Sequence, residues 1–125
     1  MKEKFSKIVL NELIMDSMRG LAYIFSKEGN LVAWGSRKSW SILEYTDEEM
    51  DNKSVMEFID DADKAKVMEA FQEVFIKGYV QVEHLAVSRS VKRIPLLASA
   101  TFAAIEGDEY LIGLSIDITE LVIIG

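Results

Sequence analysis

His84 is the only histidine of the chain, and cysteine is absent. Thiolate nucleophiles, disulfides, thiolate-held metals and cysteine-linked chromophores are therefore outside its chemistry. A single imidazole cannot form a zinc histidine pair, and no Ser-His-Asp spacing surrounds it. The acidic groups Asp47, Glu48, Glu49, Asp51 and Asp60, Asp61, Asp63 invite a metal, but no Asp-x-Asp-x-Asp-Gly loop with a distal Glu is present. Their positions suit helix N-termini, where the macrodipole favours negative charge. No metal is expected, and no phosphate-binding glycine loop occurs.

On a strand, His84 shares a face with Val80 and Val82, while Leu85 and Val87 place apolar groups on the other face. Pointing inward, it would bond a ligand or sense pH, because small environmental changes move imidazole across neutrality. A hydrogen-bonded structural or surface histidine is the commoner role. Trp34, Trp40, Tyr23, Phe25 and Tyr45 would suffice for a lining that stacks on a planar ligand such as a flavin, or for ordinary core packing. Ala98, Ala100 and Ala104, followed by Gly113 and Ser115, leave volume against the helix carrying Phe71. Either a small apolar or amphipathic ligand fills that volume, or Met56, Met68 and Phe102 do.

The elements that must position these groups follow from periodicity. Phe5, Ile8, Val9, Leu13, Ile14 and Met18 recur at helical spacing and predict an amphipathic leading helix over residues 1–20. Two β-rich runs, 21–26 and 31–34, flank Lys27, Glu28, Gly29 and Asn30, in which Gly29 and Asn30 suit positive φ, and predict a hairpin. Thr46 and Glu49 form a capping-box pattern, so a short helix starts there. Val67, Phe71, Val74 and Phe75 make one core-facing stripe of a longer helix, with Gly78 at its C-cap. Strands follow at 80–88, 94–105 and 110–118, the last two joined by a turn at Glu106, Gly107, Asp108 and Glu109. Pro95, the only proline, belongs at a strand start or bulge, because it cannot donate to a ladder. Strands separated by a helical middle imply an α+β fold, one antiparallel sheet with helices on one face.

The 125 residues fit one domain, with half hydrophobic and 28% charged, the balance of a globular chain. With 21 acidic against 14 basic residues the net charge is −7, a field that repels phosphate backbones and anionic lipid headgroups. Nucleic-acid binding is not expected, and Arg89, Lys92 and Arg93 read as a solvated loop between strands. Lys2, Glu3, Lys4 and Lys7 exclude a signal-peptide core, and no apolar run approaches a membrane span. A soluble, cytoplasmic segment without membrane contact is expected.

With these elements in place, the chain resembles the PAS family from about Leu13 to Glu120. The resemblance rests on Ile14-Met15-Asp16-Ser17-Met18, Lys27-Glu28-Gly29-Asn30, Leu43-Glu44-Tyr45-Thr46-Asp47-Glu48-Glu49-Met50, Asn52-Lys53-Ser54, Phe58-Ile59-Asp60-Asp61-Ala62-Asp63 and Asp117-Ile118-Thr119-Glu120. It implies a five-stranded antiparallel sheet in the order 2-1-5-4-3, with a PAS domain over 21–120 and the start of an output linker over 121–125. Two departures stand out. Gly35 lies where many members have Asn, and Asp60-Asp61 replaces the common His-Pro pair.

The resemblance also implies a sensory input domain of a signal-transduction protein, without catalysis, leading to a C-terminal effector such as a histidine kinase. Asp117, Thr119 and Glu120 would relay the signal, since Asp117 and Thr119 can bond locally and set the direction of exit. Ligand contacts would come from His84, Trp34, Tyr23, Phe71, Ala98, Ala100, Phe102 and Ser115. Haem is disfavoured, because haem-binding relatives take their ligand from a long helix that here has no histidine. Flavin photochemistry needs the missing cysteine, and the cofactor, if one exists, stays unassigned. Phe5, Val9 and Leu13 would form a homodimer seam. Two alternatives stand beside this reading. One is a ligand-free PAS dimerisation and coupling module. The other is a small cone-fold isomerase or dehydratase using His84 with Asp117 or Glu83 as acid and base.

Overall fold

The computed structural model describes residues 20–34, 39–50 and 53–119. Expectations for the leading helix with Phe5, Val9 and Leu13, for Gly35, for Glu120 and for 121–125 lie outside these residues, as does the Trp40 side chain. Five strands form one antiparallel sheet: β1 Gly20–Ser26, β2 Leu31–Trp34, β3 Tyr79–Val87, β4 Arg93–Ile105 and β5 Asp108–Asp117. Their order is β2-β1-β5-β4-β3, so the last strand is central. Between β2 and β3 come short 3-10 turns, one helical turn at Asp47–Met50 and the long helix Lys64–Lys77.

Local chemistry accounts for each element. The β4–β5 hairpin closes on two residues, Glu106 at φ 51° and Gly107 at φ 86°, the paired positive φ that a type I′ turn requires. In the β1–β2 turn only Gly29 takes positive φ; Asn30 instead bridges to Ser54. Thr46 and Glu49 form the expected capping box, with Thr46 N–H donating to Glu49 Oε1 at 3.0 Å and Glu49 N–H donating to Thr46 Oγ1 at 3.4 Å. Ser54 and Glu57 form a second box that the periodicity did not signal. The long helix buries Val67, Ala70 and Val74 and ends at Gly78 in the left-handed conformation, whose N–H donates to the Val74 carbonyl.

A sheet with two open edges invites further strand pairing. Here the segment between the turns covers part of both edges. Leu31 N–H of β2 donates to the Lys53 carbonyl at 2.8 Å. On the far edge, Asp60 N–H donates to the Leu85 carbonyl of β3 at 2.9 Å, and Leu85 N–H donates to Asp63 Oδ2 at 2.7 Å. Pro95 stands near the start of β4, opposite Leu85, and its carbonyl accepts from Ile118 N–H. Leu21, Phe25, Leu31, Leu43, Met50, Phe58, Val74, Leu96 and Leu111 form the core between sheet and helices. Each such side chain stabilises the fold by about 1.5–3 kcal/mol on burial. Among the described residues, no helix is long and apolar enough to cross a membrane.

Candidate functional site

The concave face of the sheet is set by strand alternation, which directs Leu21, Tyr23 and Phe25 of β1, Leu111 and Ser115 of β5, Leu96, Ala98 and Ala100 of β4, and Val80, Val82, His84 and Ala86 of β3 to one side. Val67, Ala70 and Phe71 of the long helix and Leu43, Phe58 and Ile59 of the middle segment close over them. Between these groups lies a half-enclosed, mostly apolar cavity of about 80 Å³. Ligand sites of about 300–1,000 Å³ are usual, so a flavin or haem would need the helix or middle segment to move outward.

The small residues on the floor behave unequally. Val82, Ala98 and Ser115 lie side by side across the sheet, and Val80, Ala100 and Gly113 form the adjoining row. Ala98, Ala100 and Ser115 line the cavity. Gly113 does not, because the Tyr23 ring fills the space above it: a Cβ on Gly113 would stand 2.2 Å from Tyr23 Cε1. Ala104 is exposed. Met56 and Met68 leave the cavity open, and Met68 is itself exposed.

Among the described residues, three polar side chains line the cavity. The Tyr23 and Ser115 hydroxyls share a hydrogen bond of 2.6 Å. Burial pushes the Tyr23 phenol above its usual pKa, with the Ser115 contact pulling the other way. His84 is 8% exposed, and its Nδ1 is buried without a hydrogen-bond partner. Burial pushes its pKa below the ordinary value; a hydrogen bond with the Leu85 backbone and the charge of Asp63 oppose this, while Lys66 reinforces it. His84 and Leu96 also line a second, more open hollow of about 180 Å³, shared with Asp63, Lys66, Glu83 and Ile118.

Of the ligand residues named from sequence, Tyr23, Phe71, His84, Ala98, Ala100 and Ser115 therefore meet at one cavity. Trp34 and Phe102 do not line it: Trp34 packs at the edge of the core, and Phe102 turns edge-on to Phe75. Tyr45 likewise packs edge-on against Phe58. Sequence reading missed Leu43, Phe58 and Ile59 as lining, because 3-10 turns carry no periodic apolar pattern. Asp117 and Glu83 are not gathered with His84 into an acid–base site. Asp117 is separated from it by Leu96 across the sheet, and Glu83 is exposed.

The acidic groups serve the scaffold. Asp60 accepts from Ala62 N–H and from Arg93 Nε at 2.8 Å, and Arg93 holds its carboxyl below the usual range. Asp61 pairs with Lys64, Asp63 caps Leu85, and Glu49 pairs with Arg89. Among the described residues, no three His, Cys, Asp or Glu side chains are grouped to hold a metal ion.

A family model described as a PAS domain matches residues 20–120. The chain belongs to the PAS domain family. No curated protein matches it. Among solved structures, the PAS domain of a Colwellia psychrerythraea protein is similar at 14% identity and a TM-score of 0.75, covering 92% of this chain and 99% of that one. A sensory box histidine kinase/response regulator from Burkholderia thailandensis is similar at 18% identity and a TM-score of 0.70, covering 90% and 86%. A variant PAS-B domain of Drosophila melanogaster Cycle with bound glycerol is similar at 17% identity and a TM-score of 0.70, covering 78% and 98%. At the chain's exit from this PAS domain, Asp117 Oδ1 accepts from Thr119 N–H at 2.9 Å and from the Thr119 hydroxyl. Ile118 is buried beside them, its N–H donating to the Pro95 carbonyl at 3.0 Å.

Proposed function

We propose that this PAS domain is a sensory input domain: a small molecule entering the cavity shifts the pose of the exit turn, and the shift passes to a C-terminal effector such as a histidine kinase. The observation that carries the reading is the apolar cavity whose floor includes β5, the central strand that runs directly into the Asp117 and Thr119 turn. Likeness to a sensory box histidine kinase supports the class of effector, and the glycerol-bound neighbour supports occupancy by a small molecule. A ligand biases two conformations only by its differential affinity for them, and about 1.4 kcal/mol of difference gives tenfold bias. The domain carries out no chemistry of its own and pairs with a second copy through Phe5, Val9 and Leu13. Deleting residues 1–15 then yields a monomer by light scattering.

The small volume of the cavity favours a second reading, a ligand-free module that couples neighbouring domains. Native mass spectrometry with thermal scans across a metabolite panel separates the two. The sensory reading expects a compound that raises Tm and alters amide exchange at Ile118 and Thr119. Apoprotein mass alone, with no thermal shift from any compound, supports the coupling module.

A further inference from the structure

The cavity is closed by three pieces of chain that are held in different ways. The long helix carries Val67, Ala70 and Phe71 over it and leads through Gly78 straight into β3. The piece with Phe58 and Ile59 is stitched to β3: Ile59 bridges Ala86, Asp60 N–H donates to the Leu85 carbonyl, and Asp63 accepts from Leu85 N–H. The piece that brings Leu43 is fastened instead to the loop between β3 and β4. The Leu43 carbonyl accepts from Arg89 N–H at 3.0 Å, and Glu44 Oε1 accepts from Ser90 N–H at 3.0 Å and from the Ser90 hydroxyl. Arg89 also pairs with Glu49 and stands 5.2 Å from the centre of the Tyr45 ring, which packs edge-on against Phe58.

Each side of this clasp holds a residue in a backbone conformation that side chains disfavour. Glu44 has φ 65° and Val91 has φ 66°, left-handed values at which glycine or asparagine is usual. Glu44 follows the 3-10 turn Ser39–Leu43, and its carboxylate is the group that reaches the loop. Val91 is β-branched and 67% exposed, so its own side chain does little to hold it there. The loop's bonds do so instead: Val91 N–H donates to the Ser88 carbonyl, and Lys92 N–H donates to the Ser88 hydroxyl. Strain of this kind persists only while surrounding contacts enforce it, and their loss releases it. Met50, fully buried, anchors the far end of the covering piece.

We propose that the clasp of Glu44 and Arg89 on either side of Leu43 and Ser90 is the latch of the cavity: when it opens, the chain around Leu43 lifts while Met50 stays anchored, and a guest enters there. This rests on the sensory reading of the same cavity and adds its entrance and the residues that control it.

Amide hydrogen exchange and xenon binding test it on the full chain. The Arg89 and Ser90 amides report the latch, since their acceptors lie on the covering piece, and the Leu85 amide reports the stitched piece. In the parent protein the Arg89 and Ser90 amides are expected to exchange about tenfold faster than that of Leu85, as a local opening does. Glu44→Ala should speed them about a further tenfold, the loss of hydrogen bonds to a charged acceptor. Val91→Asn, which tolerates the left-handed backbone, should slow them several-fold. Xenon in the cavity shifts the Ala98 and Ala100 methyl resonances, and its exchange rate, read from their line shapes, should follow the same order across parent and variants. Arg89 and Ser90 amides that exchange no faster than Leu85, or a xenon rate unchanged by both substitutions, overturns the latch. Xenon shifts at Ala98 and Ala100 then leave the sensory reading standing. If xenon moves neither methyl in any of these proteins, the cavity admits no guest and both readings fall together.

Discussion

Tyr23 and Ser115 join the first and last strands from inside the cavity, through a 2.6 Å hydrogen bond made as the Tyr23 ring crosses Gly113, its direct partner on β5. The contact connects the cavity to the strand that leads out of the domain. It makes Gly113 a position where absence of a side chain is a packing requirement, an aromatic ring covering a glycine across a strand pair.

Gly113→Ala is expected to destabilise the domain by about 1–3 kcal/mol, the cost of overpacking a filled core. Combining it with Tyr23→Leu, which removes the ring from that space, should cost less than the sum of the single changes. Urea unfolding of the four proteins in the cycle measures the coupling.

Tyr23→Phe and Ser115→Ala each remove the hydrogen bond that joins the two hydroxyls. Each should lower stability by about 1–3 kcal/mol, with the double variant losing less than the two together. Equal and additive losses would remove the hydrogen bond as their cause.

The buried imidazole gives a pH dependence of known sign. The folded pKa of His84 lies below the unfolded value of 6.5, so protons bind the unfolded chain first. Its contribution to stability is full above about 6.5 and is lost as the pH falls from there through the folded value. Glu44, held down to about 2 mainly by the Ser88 and Ser90 hydroxyls, stays ionised across this window. His84→Gln should remove the part of the decline that begins near neutrality. A variant whose stability falls along the same curve as the parent would assign the decline elsewhere.

Asp63 caps the exposed edge of β3 by accepting from Leu85 N–H. Asp63→Ala should cost about 1–3 kcal/mol and accelerate exchange of the Leu85 amide, while Asp63→Asn, which keeps an acceptor oxygen, should lose less. Hydrogen exchange at Leu85 reads this directly.

At the exit, Asp117→Ala removes the acceptor of both Thr119 donors. Thr119 amide exchange should rise several-fold with only a small change in Tm, since the Ile118 to Pro95 bond and the β5 ladder remain. A large fall in Tm would instead make Asp117 part of the scaffold.

Much of this architecture was legible in the chain. Alternation placed Val80, Val82 and His84 on one face, which the structure turns towards the cavity, and the 3.6-residue stripe placed Val67, Phe71 and Val74 on the core side of the long helix. Gly78 and the Thr46 and Glu49 pair marked helix ends by chemistry that acts within a few residues. Strand ends shifted by one or two residues, as with 108–117 against 110–118, because the tight Glu106 and Gly107 turn lets pairing continue to its base.

What sequence determined by itself was therefore much of what neighbours in the chain govern: element types, the caps at Thr46 and Gly78, the Glu106 and Gly107 turn and the alternation of faces along each strand. Tertiary structure decided which inward residues share a cavity. Trp34 and Phe102 face the interior but pack elsewhere, while Leu43, Phe58 and Ile59 arrive from turns without a repeat. The same holds for the space above Gly113, which a residue ninety places earlier fills. Volume depends on distances between segments far apart in sequence, and periodicity carries no information about those distances.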